Sequence, residues 1–213
     1  MGKLINKTHI SLIHEGVNIA TKEHVAIKFE KIGDKYDFLQ SETFILLLLK
    51  GIGIPRVISY GKVMNYKVLV EELLGKSVYM VWDKLIHTDE TINDVCLIAL
   101  QSLDRLEYIH TKNIIHKDIK PSNILISLNK TKVNEICFKI SDLGLNRILV
   151  KKETITSFSN KKSEIFSPEF LKEETNLISS KTDIWSLGIL IYYLLNKEYP
   201  YSGTEYEIVN QIE

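Results

Sequence analysis

One run of ten residues, HKDIKPSNIL at positions 116–125, constrains this chain more than any other feature. It places an aspartate, a lysine and an asparagine within one short loop, at Asp118, Lys120 and Asn123. Moving a phosphoryl group needs a carboxylate to orient the attacking hydroxyl, cations for the developing charge and oxygen ligands for magnesium. Asp118 can accept the hydroxyl proton, Lys120 can neutralise a phosphate and Asn123 can hold a metal. The run therefore indicates phosphoryl-transfer chemistry.

The spacing of this run also points to a family. Asp118 and Asn123 are separated as in the catalytic loop H-R-D-x-x-x-x-N, and the run resembles that loop of the eukaryotic protein kinases. Lys120, two residues after the aspartate, resembles the serine/threonine branch rather than the tyrosine branch. The alternative is a chance basic turn, against which the ordered match over residues 116–125 argues. Lys117 stands where the family has arginine, so the bidentate grip on an activation-loop phosphate is lost.

A second motif follows the loop. The segment ISDLG at residues 140–144 resembles the family's D-F-G, with leucine in place of phenylalanine. The resemblance implies that Asp142 bridges Mg²⁺ to the nucleotide phosphates and that Gly144 gives the backbone its turn. Asp-Leu-Gly alone is a common turn, and only its position after the catalytic loop makes it specific.

Upstream, the segment VAIK at residues 25–28 matches the strand that carries the phosphate-binding lysine. The resemblance implies that Lys28 holds the α- and β-phosphates and pairs with a glutamate on a helix. Glu42 is the candidate, because it is central in an otherwise apolar face and is costly to bury unless paired. Glu30 lies on the strand itself, two residues from Lys28. The alternative is that Lys28 and Glu42 are two unrelated surface charges.

Two later motifs complete the resemblance, which runs from about residue 25 to residue 200. The segment SPE at residues 167–169 is similar to the A-P-E that closes the activation segment. The segment DIWSLG at residues 183–188 is similar to the D-x-W-S-x-G of the helix that supports the catalytic loop. In that family the aspartate bonds backbone amides near the catalytic histidine, so Asp183 is expected to be structural.

Hydrophobic patterning predicts an α+β fold. Strands are expected over residues 10–29, with breaks near Glu15-Gly16 and at residues 21–23, and again over 56–60 and 67–72. Helices are expected over 34–50, 91–110 and 182–195, with a loop-rich stretch at 116–146. The resemblance implies one two-lobed kinase domain over residues 1–213. Its small β-rich N-lobe and hinge would cover 1–74, and its mostly helical, truncated C-lobe would cover 75–213.

The function implied is that of an ATP- and Mg²⁺-dependent serine/threonine protein kinase acting on Ser/Thr hydroxyls of protein substrates. Asp118 and Lys120 would be catalytic, and Asn123 and Asp142 would hold the metal. The ATP-binding residues would be Lys28, Glu42, Ala26, Leu125 and the hinge residues Glu72 and Leu74. The hinge segment ELLG at 72–75 and the segment GIGIP at 51–55 look like the casein kinase I group. The segment at 167–169 is instead the general kinase form, which that group lacks.

Several positions depart from the family pattern. The slots of the Gly-rich loop fall at residues 6–11, and none holds glycine, so nucleotide affinity should fall. Glu71 occupies the usually hydrophobic gatekeeper position beside the hinge. No arginine follows Arg147 to pair with Glu169, and the short C-lobe is expected to expose apolar surface. The rival interpretation is a pseudokinase, a binding or scaffolding module without turnover.

Composition excludes a few partners. Lys and Arg total 27 and Asp and Glu total 27, so no strong field favours nucleic acid or a membrane surface. Cys96 and Cys137 have no metal-ligand spacing and are expected to be free thiols in a reducing compartment. The apolar runs are too short to span a bilayer, and no targeting segment is seen, which favours a cytoplasmic or nuclear location.

An activation segment between Asp142 and Glu169 is expected to be a solvated polar loop that needs no phosphorylation. Its hydroxyl residues are Thr154, Thr156, Ser157, Ser159 and Ser163.

Overall fold

The computed structural model describes residues 2–7, 11–33, 37–51, 53–82, 90–128, 137–143, 163–172, 174 and 176–212. Its strands are β1 (Leu4–Lys7), β2 (Ser11–Val17), β3 (His24–Lys31), β4 (Val57–Val63), β5 (Tyr66–Glu72), β6 (Ile124–Ile126) and β7 (Phe138–Ile140). Its α-helices are α1 (Phe38–Leu48), α2 (Val78–Trp82), α3 (Glu90–Thr111), α4 (Pro168–Leu171), α5 (Ser180–Asn196) and α6 (Glu205–Ile212). Short 3-10 helices cover Pro121–Asn123 and Ser163–Ile165.

The first part of the chain forms an antiparallel sheet in the order β1-β2-β3-β5-β4. Helix α1 packs on this sheet, and the other α-helices that the structure describes all follow β5 along the chain. Strands β6 and β7 form a separate antiparallel ladder. The sequence-predicted α+β class is confirmed, with the sheet first and the helices after it.

A continuous apolar core joins the sheet to the helices. Leu69 of β5, Leu46 of α1, Leu106 of α3 and Leu190 of α5 are all nearly inaccessible to solvent and belong to one cluster. Helix α3 lies against α5 and β7. Burial of such side chains contributes about 1.5–3 kcal/mol each.

The expected break near Glu15-Gly16 is wrong, because β2 continues unbroken through both residues. Gly16 marks a close approach between strands instead of a turn. A Cβ built at Gly16 would lie 2.5 Å from Cδ1 of Ile27, so a larger residue would require the Ile27 side chain to shift. The break expected at residues 21–23 is present between β2 and β3. Strand β1 was not anticipated, since all four of its residues are exposed and show no alternation.

The expected helix over 34–50 corresponds to α1, in which Glu42 is buried together with Leu39 and Leu46. The later helix expectations correspond to α3 and α5, extended by one or two residues at their ends. None of the described helices is long and apolar enough to cross a membrane.

Candidate active site

The ammonium group of Lys28, on β3, is the centre of a buried ionic cluster. Its Nζ lies 2.7 Å from Oε1 of Glu42, 3.1 Å from Oε1 of Glu71 and 3.6 Å from Oδ1 of Asp142. Lys28 and Glu42 are both buried, so they are not two separate surface charges. Four residues far apart in sequence therefore meet at one point between β3, β5, α1 and the segment after β7.

A second ion-paired group sets the position of α1, and through it that of Glu42. The carboxylate of Glu30 accepts a hydrogen bond of 2.8 Å from the backbone N–H of Leu39, in the first turn of α1. Lys67 of β5 reaches Oε1 of Glu30 at 3.0 Å and Oδ1 of Asp37, just before the helix, at 2.7 Å. A carboxylate at a helix N-terminus is favoured by the exposed N–H groups there. The helix is thereby fixed to β3 and β5, with Glu42 one turn further along and directed at Lys28.

Burial and the neighbouring charges have opposite effects on the pKa values of the Lys28 cluster. Burial alone would lower the pKa of Lys28, but the carboxylates of Glu42, Glu71 and Asp142 outweigh it and raise that pKa well above its usual value. Burial raises the pKa of Glu42 to about 7, even though Lys28 lowers it. Burial also raises the pKa of Glu71, again against the effect of Lys28. The cluster carries more negative than positive groups, so it favours an additional cation or proton.

Residues 116–123 form a tight loop that ends in the 3-10 helix Pro121–Asn123, and the last two residues of the run begin β6. Nζ of Lys120 donates to both carboxylate oxygens of Asp118, at 2.9 and 2.7 Å. Nδ2 of Asn123 donates to the backbone oxygen of Asp118 at 2.8 Å and to its Oδ2 at 3.0 Å. These bonds fix the Asp118 carboxylate. Because the Asn123 amide nitrogen faces Asp118, its amide oxygen points away from Asp118 and is the atom that a cation can bind.

His116 connects this loop to the segment that carries Asp142. Its ring is completely buried, and Nε2 lies 2.9 Å from the backbone oxygen of Ser141. Nδ1 accepts a 3.2 Å hydrogen bond from the N–H of Asp118. The proton of the neutral imidazole is therefore assigned to Nε2, which donates to the Ser141 carbonyl. The Ser141 N–H donates to the backbone oxygen of Asn123 at 2.9 Å, so the two loops are joined twice.

Asp183, in the first turn of α5, accepts hydrogen bonds from the backbone of the same loop. Its Oδ2 accepts a 2.7 Å hydrogen bond from the N–H of His116, and its Oδ1 accepts one of 2.7 Å from the N–H of Lys117. Nε2 of His110 lies 2.8 Å from Oδ2. The expected contact with backbone amides near the histidine is confirmed. Lys117 adopts a left-handed backbone, φ 68°, which these bonds stabilise.

Asp142 has the features of a metal ligand. Its side chain is 50% exposed, in contrast to the buried carboxylates around Lys28. Its backbone is left-handed, with φ 62°, a conformation that aspartate tolerates better than most residues. Among the residues that the structure describes, no three His, Cys, Asp or Glu side chains converge as a metal cage. Magnesium fits such a partial site, since it usually takes one or two protein oxygens together with phosphates and water.

The residues expected around the adenine lie near one end of the central strands β3 and β5, just after β5, and on β6. Ala26 pairs with Glu71 on β5, and Leu74 and Leu125 are both half-buried. The segment after β5 runs beside β6, because Ser77 pairs with Leu125. The carboxylate of Glu72 points away from Lys28: it accepts from the N–H of Arg56 at 2.8 Å and forms a short contact with Lys139. The side chain of Glu72 is therefore engaged on the face of the sheet opposite Lys28.

Residues 3–213 match the family model described as the protein kinase domain. This chain belongs to the protein kinase family. The eukaryotic-type kinase resemblance of the motifs is therefore supported over nearly the whole sequence. In this kinase the cluster around Lys28 and the loop around Asp118 occupy one region, bridged by His116 and Ser141.

Sequence reasoning missed two contacts in this kinase. Glu71 was noted as unusual, but its ion pair with Lys28 was not expected. The strand period alone could not reveal it, because the contact depends on the register that pairs Glu71 with Ala26, two residues from Lys28 and on the same sheet face. The second contact concerns Glu169, whose Oε1 accepts a 2.8 Å hydrogen bond from the hydroxyl of Thr182. The Thr182 hydroxyl thus contacts a carboxylate for which the sequence offered no arginine partner.

Some expectations lie outside the described residues. Gly144 and the hydroxyl residues of the expected activation segment before Ser163 are among them. Of the slots expected for a Gly-rich loop, residues 8–10 also fall there, between β1 and β2. The expectations for Gly144, for the activation segment and for the Gly-rich loop slots at residues 8–10 remain predictions.

Proposed function

We propose that this kinase transfers the γ-phosphate of ATP to serine or threonine hydroxyls of protein substrates. The observation that supports it best is the joining of two half-sites: Lys28 with Glu42 and Asp142, and Asp118 with Lys120 and Asn123. Each half alone is an ordinary ion-pair network. Together they offer a cation for phosphates, oxygens for a metal and a carboxylate for the incoming hydroxyl, which is the set that phosphoryl transfer requires.

In this proposal Lys28 binds the α- and β-phosphates and Glu42 holds its ammonium in place. Asn123 and Asp142 hold Mg²⁺, which neutralises phosphate charge when bound. The backbone carbonyl of Glu72 and the N–H of Leu74 bind the adenine edge, with Ala26 and Leu125 on its two faces. These eight residues would form the nucleotide half of the cleft.

Asp118 would orient the substrate hydroxyl and accept its proton as the oxygen attacks the γ-phosphorus and the bond to ADP breaks. The Lys120 ammonium, within 2.7 Å of Asp118, would neutralise the transferred phosphoryl group. The presence of Lys120 at this place also supports the serine/threonine branch by resemblance. We further propose a lobe boundary after residue 74 and a casein-kinase-I-like subtype, the latter from the segment at residues 72–75.

The second candidate is a pseudokinase that binds partners without turnover. It is favoured by the absence of glycine at the slots Asn6, Thr8 and Ser11. Without glycine, backbone amides approach phosphates less closely because a Cβ intervenes.

The deciding experiment incubates the purified chain with Mg²⁺, γ-labelled ATP and casein. We expect label on casein serine or threonine with the wild-type chain, and none above background with Asp118→Asn. Asp104→Asn, a matched change at an exposed side chain of α3, should behave like the wild type. Bound ATP without any transfer to casein or to other protein substrates would favour the pseudokinase.

A further inference from the structure

The Lys28 ammonium is surrounded by more carboxylates than it needs. It has three N–H donors, and three carboxylates lie within 3.6 Å of its nitrogen. Glu42 belongs to α1 and Asp142 to the segment after β7, whereas Glu71 comes from the neighbouring strand β5. One positive and three negative side chains leave the cluster with a formal charge of about −2 when all are ionised. A nucleotide phosphate, itself negative, must enter this field.

Glu71 is a buried member of the cluster. It is 5% exposed, and its Oε1 is held by Lys28 at 3.1 Å. Its Oε2 is buried without a hydrogen-bond partner in the part of the chain that the structure describes. A buried carboxylate oxygen in this state is costly. The next residue, Glu72, faces the other side of the sheet and is bonded there to Arg56 and Lys139.

We propose that Glu71 is a positioning residue that acts through Lys28 and competes with the nucleotide phosphates for its ammonium. This inference rests on the proposed function, in which Lys28 binds those phosphates. Glu71 withholds one of the three N–H donors and adds one negative charge close to where the triphosphate binds. Its presence therefore weakens the binding of nucleotides that carry phosphates. It has no such effect on the nucleoside alone, because adenosine places nothing on Lys28.

The test compares ATP with adenosine. Glu71→Gln removes the charge while keeping the shape, and Glu71→Met removes both the charge and the acceptor. Glu23→Gln is the charge-matched control, because Glu23 is paired with the exposed Arg56 outside the cluster. Calorimetric titrations use MgATP and adenosine in low salt, where electrostatic effects are screened least.

We expect Glu71→Gln and Glu71→Met to bind MgATP about tenfold more tightly than the wild type, equivalent to roughly 1.4 kcal/mol. Adenosine affinity should stay within about twofold, and Glu23→Gln should match the wild type for both ligands. In the casein assay the KM for ATP should fall by a similar factor, with a smaller change in kcat. A purely structural role for Glu71 would not separate ATP from adenosine in this way.

Three outcomes would overturn the inference. Unchanged or weaker MgATP binding in both Glu71 variants, with the wild type binding ATP, removes it and leaves the proposed function intact. Equal tightening of ATP and adenosine shows a reshaped pocket instead of a competition for Lys28. If neither the wild type nor the variants bind ATP or adenosine, the proposed function fails and this inference fails with it.

Discussion

Replacing Asp183 by asparagine should destabilise the whole chain, because one buried carboxylate organises the catalytic loop. The carboxylate accepts hydrogen bonds from the N–H groups of His116 and Lys117 and contacts the ring of His110. Hydrogen bonds to charged groups contribute about 1.5–3 kcal/mol each. Asparagine keeps one acceptor oxygen but turns an NH₂ group toward a backbone N–H. Counting one bond lost and one weakened, we expect a loss of about 2–4 kcal/mol of unfolding free energy.

That loss is large against a typical total stability of roughly 5–15 kcal/mol. Urea unfolding followed by tryptophan fluorescence measures it, since Trp82 is buried in the core and reports loss of packing. Asp104→Asn provides the matched control, because the same chemical change falls on a side chain that is 73% exposed. If Asp183→Asn unfolds within about 0.5 kcal/mol of the wild type, the size normally seen for surface changes, the structural role assigned to Asp183 is wrong.

Three further predictions concern the site. Asp142→Asn should weaken ATP binding in the presence of Mg²⁺ and make it insensitive to the metal; calorimetry showing full metal dependence in this variant would contradict the assignment. Because the pKa of Glu42 rises from 4.5 to about 7 on folding, its contribution to stability is fully present below about pH 4.5 and is lost as the pH rises to about 7. Urea unfolding at pH 5 and pH 7.5 should therefore show a decrease that is smaller in Glu42→Gln, and parallel pH profiles would refute it. Replacing all the expected activation-segment hydroxyls with alanine should reduce the rate on casein by less than about tenfold, and a larger loss would show that the segment is a switch. Those hydroxyl residues are Thr154, Thr156, Ser157, Ser159 and Ser163.

The sequence predicted the partners of Lys28 unequally, for a physical reason. Glu42 could be found because it interrupts an apolar helix face, and a buried carboxylate needs a partner. The orientation of Glu71 depends on the register between β3 and β5, which pairs it with Ala26. A shift of one residue would have directed Glu72 at Lys28 instead. No local pattern reports that register, so this contact emerges only from the folded sheet.

The roles of one glycine and one hydroxyl residue could not be predicted from the sequence either. Gly16 resembles a turn signal, yet it permits close approach to Ile27 within a continuous strand. Thr182 has no distinctive sequence context, yet its hydroxyl bonds the carboxylate of Glu169. The catalytic-loop residues were easier, because their chemistry is encoded within a single short run, where chain connectivity already brings Asp118, Lys120 and Asn123 together.

The anchoring of α1 by Glu30 and Lys67 has a consequence for inhibitor design. A compound that binds by pushing α1 outward must break the bond from Glu30 to the N–H of Leu39 and separate Lys67 from Asp37. Both contacts involve buried or half-buried charges, and leaving one such charge without its partner is strongly unfavourable. Compounds that bind without displacing α1 from these contacts avoid that cost. Selective chemistry for this kinase should therefore begin from scaffolds that leave the helix where it is.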